Sequence, residues 1–250
     1  MASENGSVQS LERTFAVLRL IGESDGYISL SELSHQSGLP QPTIHRAMKT
    51  LVKLGMVRQD QSRRYALGAG LIQLGEQASS VLGSWARPYL KKVADLTGET
   101  SNMAIFDNDL VTYVAQSPGH QQMRMFTEVG RRVPPHRTAV GKAMMAHMSD
   151  SRIDDIIERV GLPTMTEFTI TTREALNAEL TKILKTGYAV DNQEQELGVI
   201  CVAVVVPQTP IPTAISISGP STRMTRQFIE DSVISMQRIA REISEEFKNR

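Results

Sequence analysis

Residues 41–53, QPTIHRAMKTLVK, mix two kinds of side chain. Ile44, Ala47, Met48 and Leu51, with Leu54 just beyond, recur at helical spacing and form an inward stripe. Gln41, Thr43, His45, Arg46, Lys49 and Lys53 are kept off it. Their chemistry suits the edges of DNA bases: a Gln amide pairs with adenine, an Arg fork with guanine, and a Thr methyl touches thymine. Gln41, Pro42, Thr43 and Arg46 occupy the first turns, with His45 on the flank. Lys49 and Lys53 lie farther down, within reach of phosphates, and Arg63 and Arg64 stand where they can grip a backbone or enter a minor groove. From Pro40 to Arg64, six cations (Arg46, Lys49, Lys53, Arg58, Arg63, Arg64) face one anion, Asp60. Such a patch points to a polyanion partner. A solvated face, or a three-helix protein-interaction module with a polar surface, carries the same pattern.

A second stretch, His136 to Ala143, offers anion chemistry of another kind. Pro134 and Pro135 impose an extended approach, and a helix then begins near Thr138. A helix start presents free N–H groups and the positive end of the dipole. The backbone of Thr138, Ala139 and Gly141 is therefore a candidate seat for a carboxylate. Gly141-Lys142 is not a phosphate loop: the glycine-rich run is missing and Ala143 stands where Ser or Thr is required. Lys142 reads as an outward or a structural cation. Cys201, His136 and Asp191 are the residue types of a nucleophile, a base and an orienting acid. Nothing in their spacing brings them together, and Cys201 lies in an apolar run unsuited to a thiolate. No catalytic residue is assigned.

The elements that must position these groups follow from periodicity. Residues 8–22 form an amphipathic helix with Val8, Leu11, Phe15, Leu18 and Ile21 or Leu20 on one stripe. Ser29 and Glu32 make a capping box that opens a short helix to about Ser37, closed by Gly38. Pro42 is tolerated in the first turn of the next helix, which Gly55 stops. Val57–Gln59 and Arg64–Leu67 read as a small hairpin. Three helices and a hairpin make a winged helix-turn-helix, whose last helix enters the major groove. A connector helix covers 69–83 and a further helix runs to about Thr97. From Thr100, strands SNMAIFD, LVTYVAQS and MRMFTEV are expected, the first two joined by Asn108-Asp109. Helices over 138–148, 151–160 and 172–186, strands YAVDN, VICVAVVV and TAISIS, and a terminal helix over 221–248 complete the chain. The expectation is α+β: a DNA-binding domain over 1–68, a connector helix over 69–84, and a C-terminal domain over 85–250 with a mainly antiparallel sheet flanked by helices.

Composition sets bounds. At 250 residues the chain is long enough for two domains. Its 27 Lys and Arg balance 27 Asp and Glu, so the basic patch is local. One cysteine excludes an intramolecular disulfide and a CxxC zinc site, and fits a reducing cytosol. No cofactor or metal site is read. The first 30 residues do not read as a signal peptide, and no run reaches the ~18 apolar residues of a membrane span. A cytoplasmic protein without membrane contact is expected.

The segments VQSLERTFAVLRLI, SLSELSHQSGLPQPTIHRAMKTLVKLGMVRQD and RYALG resemble the N-terminal domain of the IclR family of bacterial transcriptional regulators. In the same order, VGRRVPPHRTAVGKAMMA, TGYAVDNQEQELGVICVAVVV and AISISGPSTRMT resemble that family's effector-binding domain. The resemblance covers nearly the whole chain. The segment PQTPIPT departs from it, looking shorter and richer in proline than the family's usual hairpin. The resemblance implies a DNA-binding homodimer, often paired into a tetramer, on a partly palindromic double-stranded operator. It also implies a small-molecule effector, and marks Asp191, Cys201, Ser216 and Ser218 as pocket residues. Each has a plain alternative: Cys201 as a buried apolar residue, the serines on a strand face turned to solvent, Asp191 as a turn cap. With the helix start as anchor, the effector is expected to be a carboxylate, aliphatic or aromatic. Met123, Met125 and Val199, placed beside these motifs, are the expected apolar wall. An adaptor that binds protein without DNA, and a Cys-dependent enzyme, are the competing classes.

Overall fold

The computed structural model describes residues 8–121 and 128–248. The chain divides into two compact units, Met1–Ala78 and Ser79–Arg250.

In the first unit, α1 (Gln9–Glu23), α2 (Leu30–Ser37) and α3 (Gln41–Lys53) precede a hairpin of β1 (Val57–Gln59) and β2 (Tyr65–Leu67). The capping box forms: Glu32 N donates to Ser29 Oγ at 3.2 Å and Ser29 N donates to Glu32 Oε2 at 2.8 Å. Gly38 closes α2 at φ 67°, a left-handed conformation that glycine adopts at little cost. The helix-turn-helix corner is thus fixed by purely local chemistry. Val17, Ile21, Ile28, Leu33, Ile44, Met48, Leu51, Val57 and Tyr65 form the core. This corrects the expected α1 stripe. Val17 and Ile21 point inward, whereas Val8, Leu11 and Phe15 are each more than half exposed, as is Leu54 after α3. Periodicity finds an apolar helix face but does not say what covers it. Helix α4 (Gly70–Leu82), expected as a connector, has no buried residue at all.

The second unit contains α5 (Arg87–Thr97), β3 (Thr100–Asp107), β4 (Leu110–Ser117), β5 (Arg132–Val133), α6 (Ala139–Met145), α7 (Asp150–Val160), α8 (Arg173–Thr186), β6 (Ala189–Asn192), β7 (Val199–Val206), β8 (Thr213–Pro220) and α9 (Arg226–Lys248). The six strands form one sheet in the order β5-β4-β3-β8-β7-β6, and each adjacent pair is antiparallel. Asn108 and Asp109 join β3 to β4 with φ 46° and 72°, the primed turn that matches hairpin twist. The strand expected over 123–129 falls, with Met123 and Met125, mostly outside the described residues; among the described residues the short β5 lies beside β4. The β7–β8 register runs unbroken from Val199–Pro220 to Val206–Thr213, so the proline-rich connection closes without a slip. The terminal helix starts later than expected. Residues 221–225 form turns that hold Arg223 against the buried Glu99, at 2.5 and 2.8 Å.

Strand alternation splits the side chains between two faces. On one, Met103, Ile105, Val202, Val204, Ile215 and Ile217 pack with Leu90, Val93, Met236 and Ile239 of α5 and α9. On the other, Ala104, Ala203 and Ala214 let Ala139, Ala143 and Met144 of α6 approach, backed by Ile156, Leu176 and Ile183 of α7 and α8. This second face carries the polar residues.

Candidate nucleic-acid interface and ligand cavity

Ile44, Met48 and Leu51 fix the orientation of α3 by burying one side. Pro42, Arg46, Lys49 and Lys53 then lie near the centre of the opposite, exposed side, with Gln41 and His45 on one flank. Thr43 stands on the other flank and is half-buried. With Arg46 it borders a groove of about 740 Å³ bounded by α1, α3 and α4. No acidic residue occupies the first turn of α3 and no side chain caps it, which leaves a helix start suited to phosphate.

The hairpin is braced from below. Arg58 and Arg64 both stack over the Tyr27 ring, at 5.2 and 5.3 Å. Arg64 also gives its N–H to Asp60 Oδ1 at 2.8 Å and its Nε–H to Oδ2 at 3.1 Å. The Arg64 backbone N–H, more than its charge, holds the Asp60 carboxyl below the usual range. Arg63 sits at the exposed tip with φ 61°. Arg64 is therefore a tethered cation and Arg63 an open one. Arg58 belongs to the basic patch, and its alternation with the buried Val57 on β1 marks it as an outward residue of the hairpin.

In the second unit, register assembles a polar row. Cys201 pairs with Asp191 on β6 and with Ser218 on β8, and Ser218 pairs with Thr100 on β3. The next row holds Ala203, Ser216, Asn102 and Gln116. Cys201 Sγ donates to Ser218 Oγ at 3.2 Å, and Asn102 Nδ2 donates to the same oxygen at 3.4 Å. Gln116 Nε2 donates to Asn102 Oδ1 at 3.2 Å. A cavity of about 50 Å³ opens over the first row, lined by Thr138, Asp191, Val199, Cys201 and Ser218, with Tyr113, Val133, Arg131, Gln195 and Glu196. Five of the expected effector residues thus meet at one cavity. Ser216 faces the same side of the sheet but is buried beneath, beside Asn102; Ala139 and Gly141 are buried in α6 and do not line it.

The start of α6 differs in detail from the expected anion seat. Gly141 N–H donates to Thr138 Oγ1 at 3.1 Å, as a cap, which leaves Ala139 and Val140 with the open donors of that turn. Glycine is required at 141 for another reason. A Cβ there would lie 2.2 Å from Pro135 O and 2.5 Å from Pro135 Cα.

Lys142 is not outward. It is fully buried, and its Nζ donates to Glu194 Oε1 and, at 2.7 Å, to Val190 O. This pair ties α6 to the loop after β6. At the end of β6, Asp191 Oδ1 accepts N–H bonds from Glu194 at 2.7 Å and Gln195 at 3.3 Å in that loop. Burial, reinforced by the Glu194 charge, raises the Asp191 carboxyl to about 7. Burial also raises Glu194, against the pull of Lys142. The nearby Tyr113 hydroxyl and Cys201 thiol are both pushed up, again first by burial. His136 is buried, its Nε2 3.2 Å from Pro163 O, and burial lowers it to about 4. Cys201, His136 and Asp191 each have separate partners and do not form a relay. Among the described residues no group of three or more His, Cys, Asp or Glu is placed to hold a metal ion, and no helix is long and apolar enough to cross a membrane.

Sequence families agree with this layout. A family described as "IclR helix-turn-helix domain" matches residues 10–61, and one described as "Bacterial transcriptional regulator IclR C-terminal" matches residues 79–245. The chain is similar to the transcriptional repressor IclR of Escherichia coli, with 33% identity over 97% of this chain and 91% of that one. It is also similar to the regulator KdgR of the same organism, with 32% identity over 95% and 92%. A solved IclR-type regulator from Alicyclobacillus acidocaldarius superposes with a TM-score of 0.82 at 28% identity, over 95% of this chain and 98% of that chain.

Proposed function

Because this chain belongs to the IclR family of bacterial transcriptional regulators, we propose that α3 reads an operator and that the cavity beside the β6–β7 connection takes a small organic acid that tunes the reading. The chain is a DNA-binding regulator; the assignment of roles to residues is our own. The observation that carries it is the open face of α3, where Arg46, Lys49 and Lys53 stand clear of the core. Arg46 contributes base discrimination, Lys49 and Lys53 phosphate affinity, and Arg58, Arg63 and Arg64 the wing's grip. Residues 1–68 act as the DNA-binding domain, 69–84 as the connector and 85–250 as the effector domain.

The exposed apolar residues of α1 and α4 support a homodimer built on these helices. Leu11, Phe15, Ile72 and Leu74 are each more than half exposed, an arrangement that a second copy would cover. Two heads then read a partly palindromic duplex. The effector acts by binding one arrangement of the heads better than the other. We place the protein in the cytoplasm, where its operator lies.

The test is fluorescence anisotropy with the DNA upstream of the protein's own gene, over a salt series. Arg46→Ala is expected to relax sequence preference by ~1–3 kcal/mol, and Lys53→Ala to weaken all duplexes alike and reduce the salt slope by about one. Equal losses on every duplex for both variants would remove the assignment.

A further inference from the structure

The open hydrogen-bonding valences of the cavity specify more than an acid. Ser218 Oγ accepts from both Asn102 Nδ2 and Cys201 Sγ. A hydroxyl that accepts twice has its own proton left to donate. Tyr113 borders the same space. Among the described residues that line the cavity, Arg131 is the one cation, and it is exposed. Its backbone is tied down: Tyr113 N donates to Arg131 O, and Arg131 N donates to Glu128 O, both at 3.1 Å. These groups call for acceptors, as a carboxylate supplies, and a guanidinium fork is the natural partner of its two oxygens.

Three lining residues carry acceptors: Asp191 already accepts two backbone N–H bonds, Glu196 is exposed to water, and the acceptor of Gln195 is unmet. Gln195 Oε1 is buried and has no hydrogen-bond partner. An unsatisfied buried acceptor is costly unless a ligand donates to it. The size of the space narrows the class further. A water needs ~10–15 Å³ of such volume, so 50 Å³ holds only a few water-sized groups.

Building on the effector reading above, we propose that Arg131 and Gln195 make this a site for a short hydroxy acid, Arg131 taking the carboxylate and Gln195 Oε1 accepting the proton of the hydroxyl. A keto acid or a plain fatty acid of the same length satisfies Arg131 but leaves the Gln195 oxygen bare. Selectivity thus resides in one amide oxygen and affinity in the guanidinium. The two roles are separable by substitution.

Isothermal titration of the full chain with glycolate, lactate, acetate and pyruvate tests this. Glycolate and lactate are expected to bind at least about tenfold more tightly than acetate and pyruvate, from one added bond to a buried acceptor. Gln195→Met keeps the length, removes the acceptor, and is expected to erase that gap. Arg131→Gln is expected to weaken every acid about 10- to 100-fold, with Arg131→Lys intermediate. Equal binding of the four acids by the unsubstituted chain overturns the proposal, as does a gap that survives Gln195→Met. If Ser218→Ala and Asp191→Asn weaken acid binding while the Arg131 and Gln195 variants do not, the cavity remains the effector site and this proposal alone falls. If none of the four positions affects binding, the effector reading falls with it. Thermal melts of each variant in the absence of acid separate loss of binding from loss of fold.

Discussion

Asp191 is where burial and hydrogen bonding oppose each other most directly. Its carboxyl accepts two backbone N–H bonds, which favour the charged form, yet it is only 3% exposed and lies near Glu194, which favour the neutral one. The balance raises it to about 7. A raised acid contributes stability that is complete below its ordinary value of 3.8 and is lost as pH climbs through about 7. Asp191→Asn keeps an acceptor oxygen for both N–H groups and cannot ionise. It is therefore expected to be more stable than the parent at pH 8, by about 1–3 kcal/mol, with the difference vanishing near pH 4. Urea melts at the two pH values measure this; an unchanged difference between them would show that Asp191 is not held neutral by its surroundings. The residue's identity was legible through family resemblance, but its strain was not, because Glu194 and Lys142 meet it only in the folded loop. Lys142 shows the same limit. Its partner lies 52 residues away, so sequence left open whether the cation was outward or structural.

At the level of elements, legibility followed locality. The capping box at Ser29, the left-handed Gly38 and the Asn108-Asp109 turn all depend on neighbours within four residues, and each was readable before the fold was known. The polar row Asp191–Cys201–Ser218–Thr100 depends on register across four strands, and Thr100, Asn102 and Tyr113 had no local mark. Helix α6 combines both cases. Its cap at Thr138 is local, but the need for glycine at 141 comes from the Pro135 backbone packed against it. Gly141→Ala is expected to lower stability by more than about 2 kcal/mol, because backbone cannot move aside as a flexible side chain can. Gly75 on α4 provides the contrast. Nothing lies within 4 Å of a Cβ placed there, and Gly75→Ala is expected to be neutral or stabilising by up to about 1 kcal/mol. Parallel chemical denaturation of the two variants checks the pair, and equal costs would mean that α6 does not need its close approach to Pro135.

For the molecule as a whole, the proposed homodimer rests on the apolar surface left open on the first unit. Val8, Leu11, Phe15, Leu54, Ile72 and Leu74 stay more than half exposed although their spacing is that of a buried stripe. The sequence displayed this pattern and could not reveal which part belongs inside one chain, since core and partner faces look alike in composition. The double variant Leu11→Glu, Leu74→Glu is expected to sediment as a monomer where the parent sediments as a dimer or larger, and to lose affinity for two-half-site DNA. A parent that is monomeric at micromolar concentration would exclude this surface as the joint. The Lys142–Glu194 tie, enclosed away from water, has an evolutionary corollary in the second unit. It works as a rivet for the stretch from 191 to 199, while the side chains at 195, 196 and 199 hang from that stretch into the chamber. If the cavity takes the effector as proposed, a lineage that exchanges those three acquires a new chemical taste and leaves both the rivet and the first unit untouched.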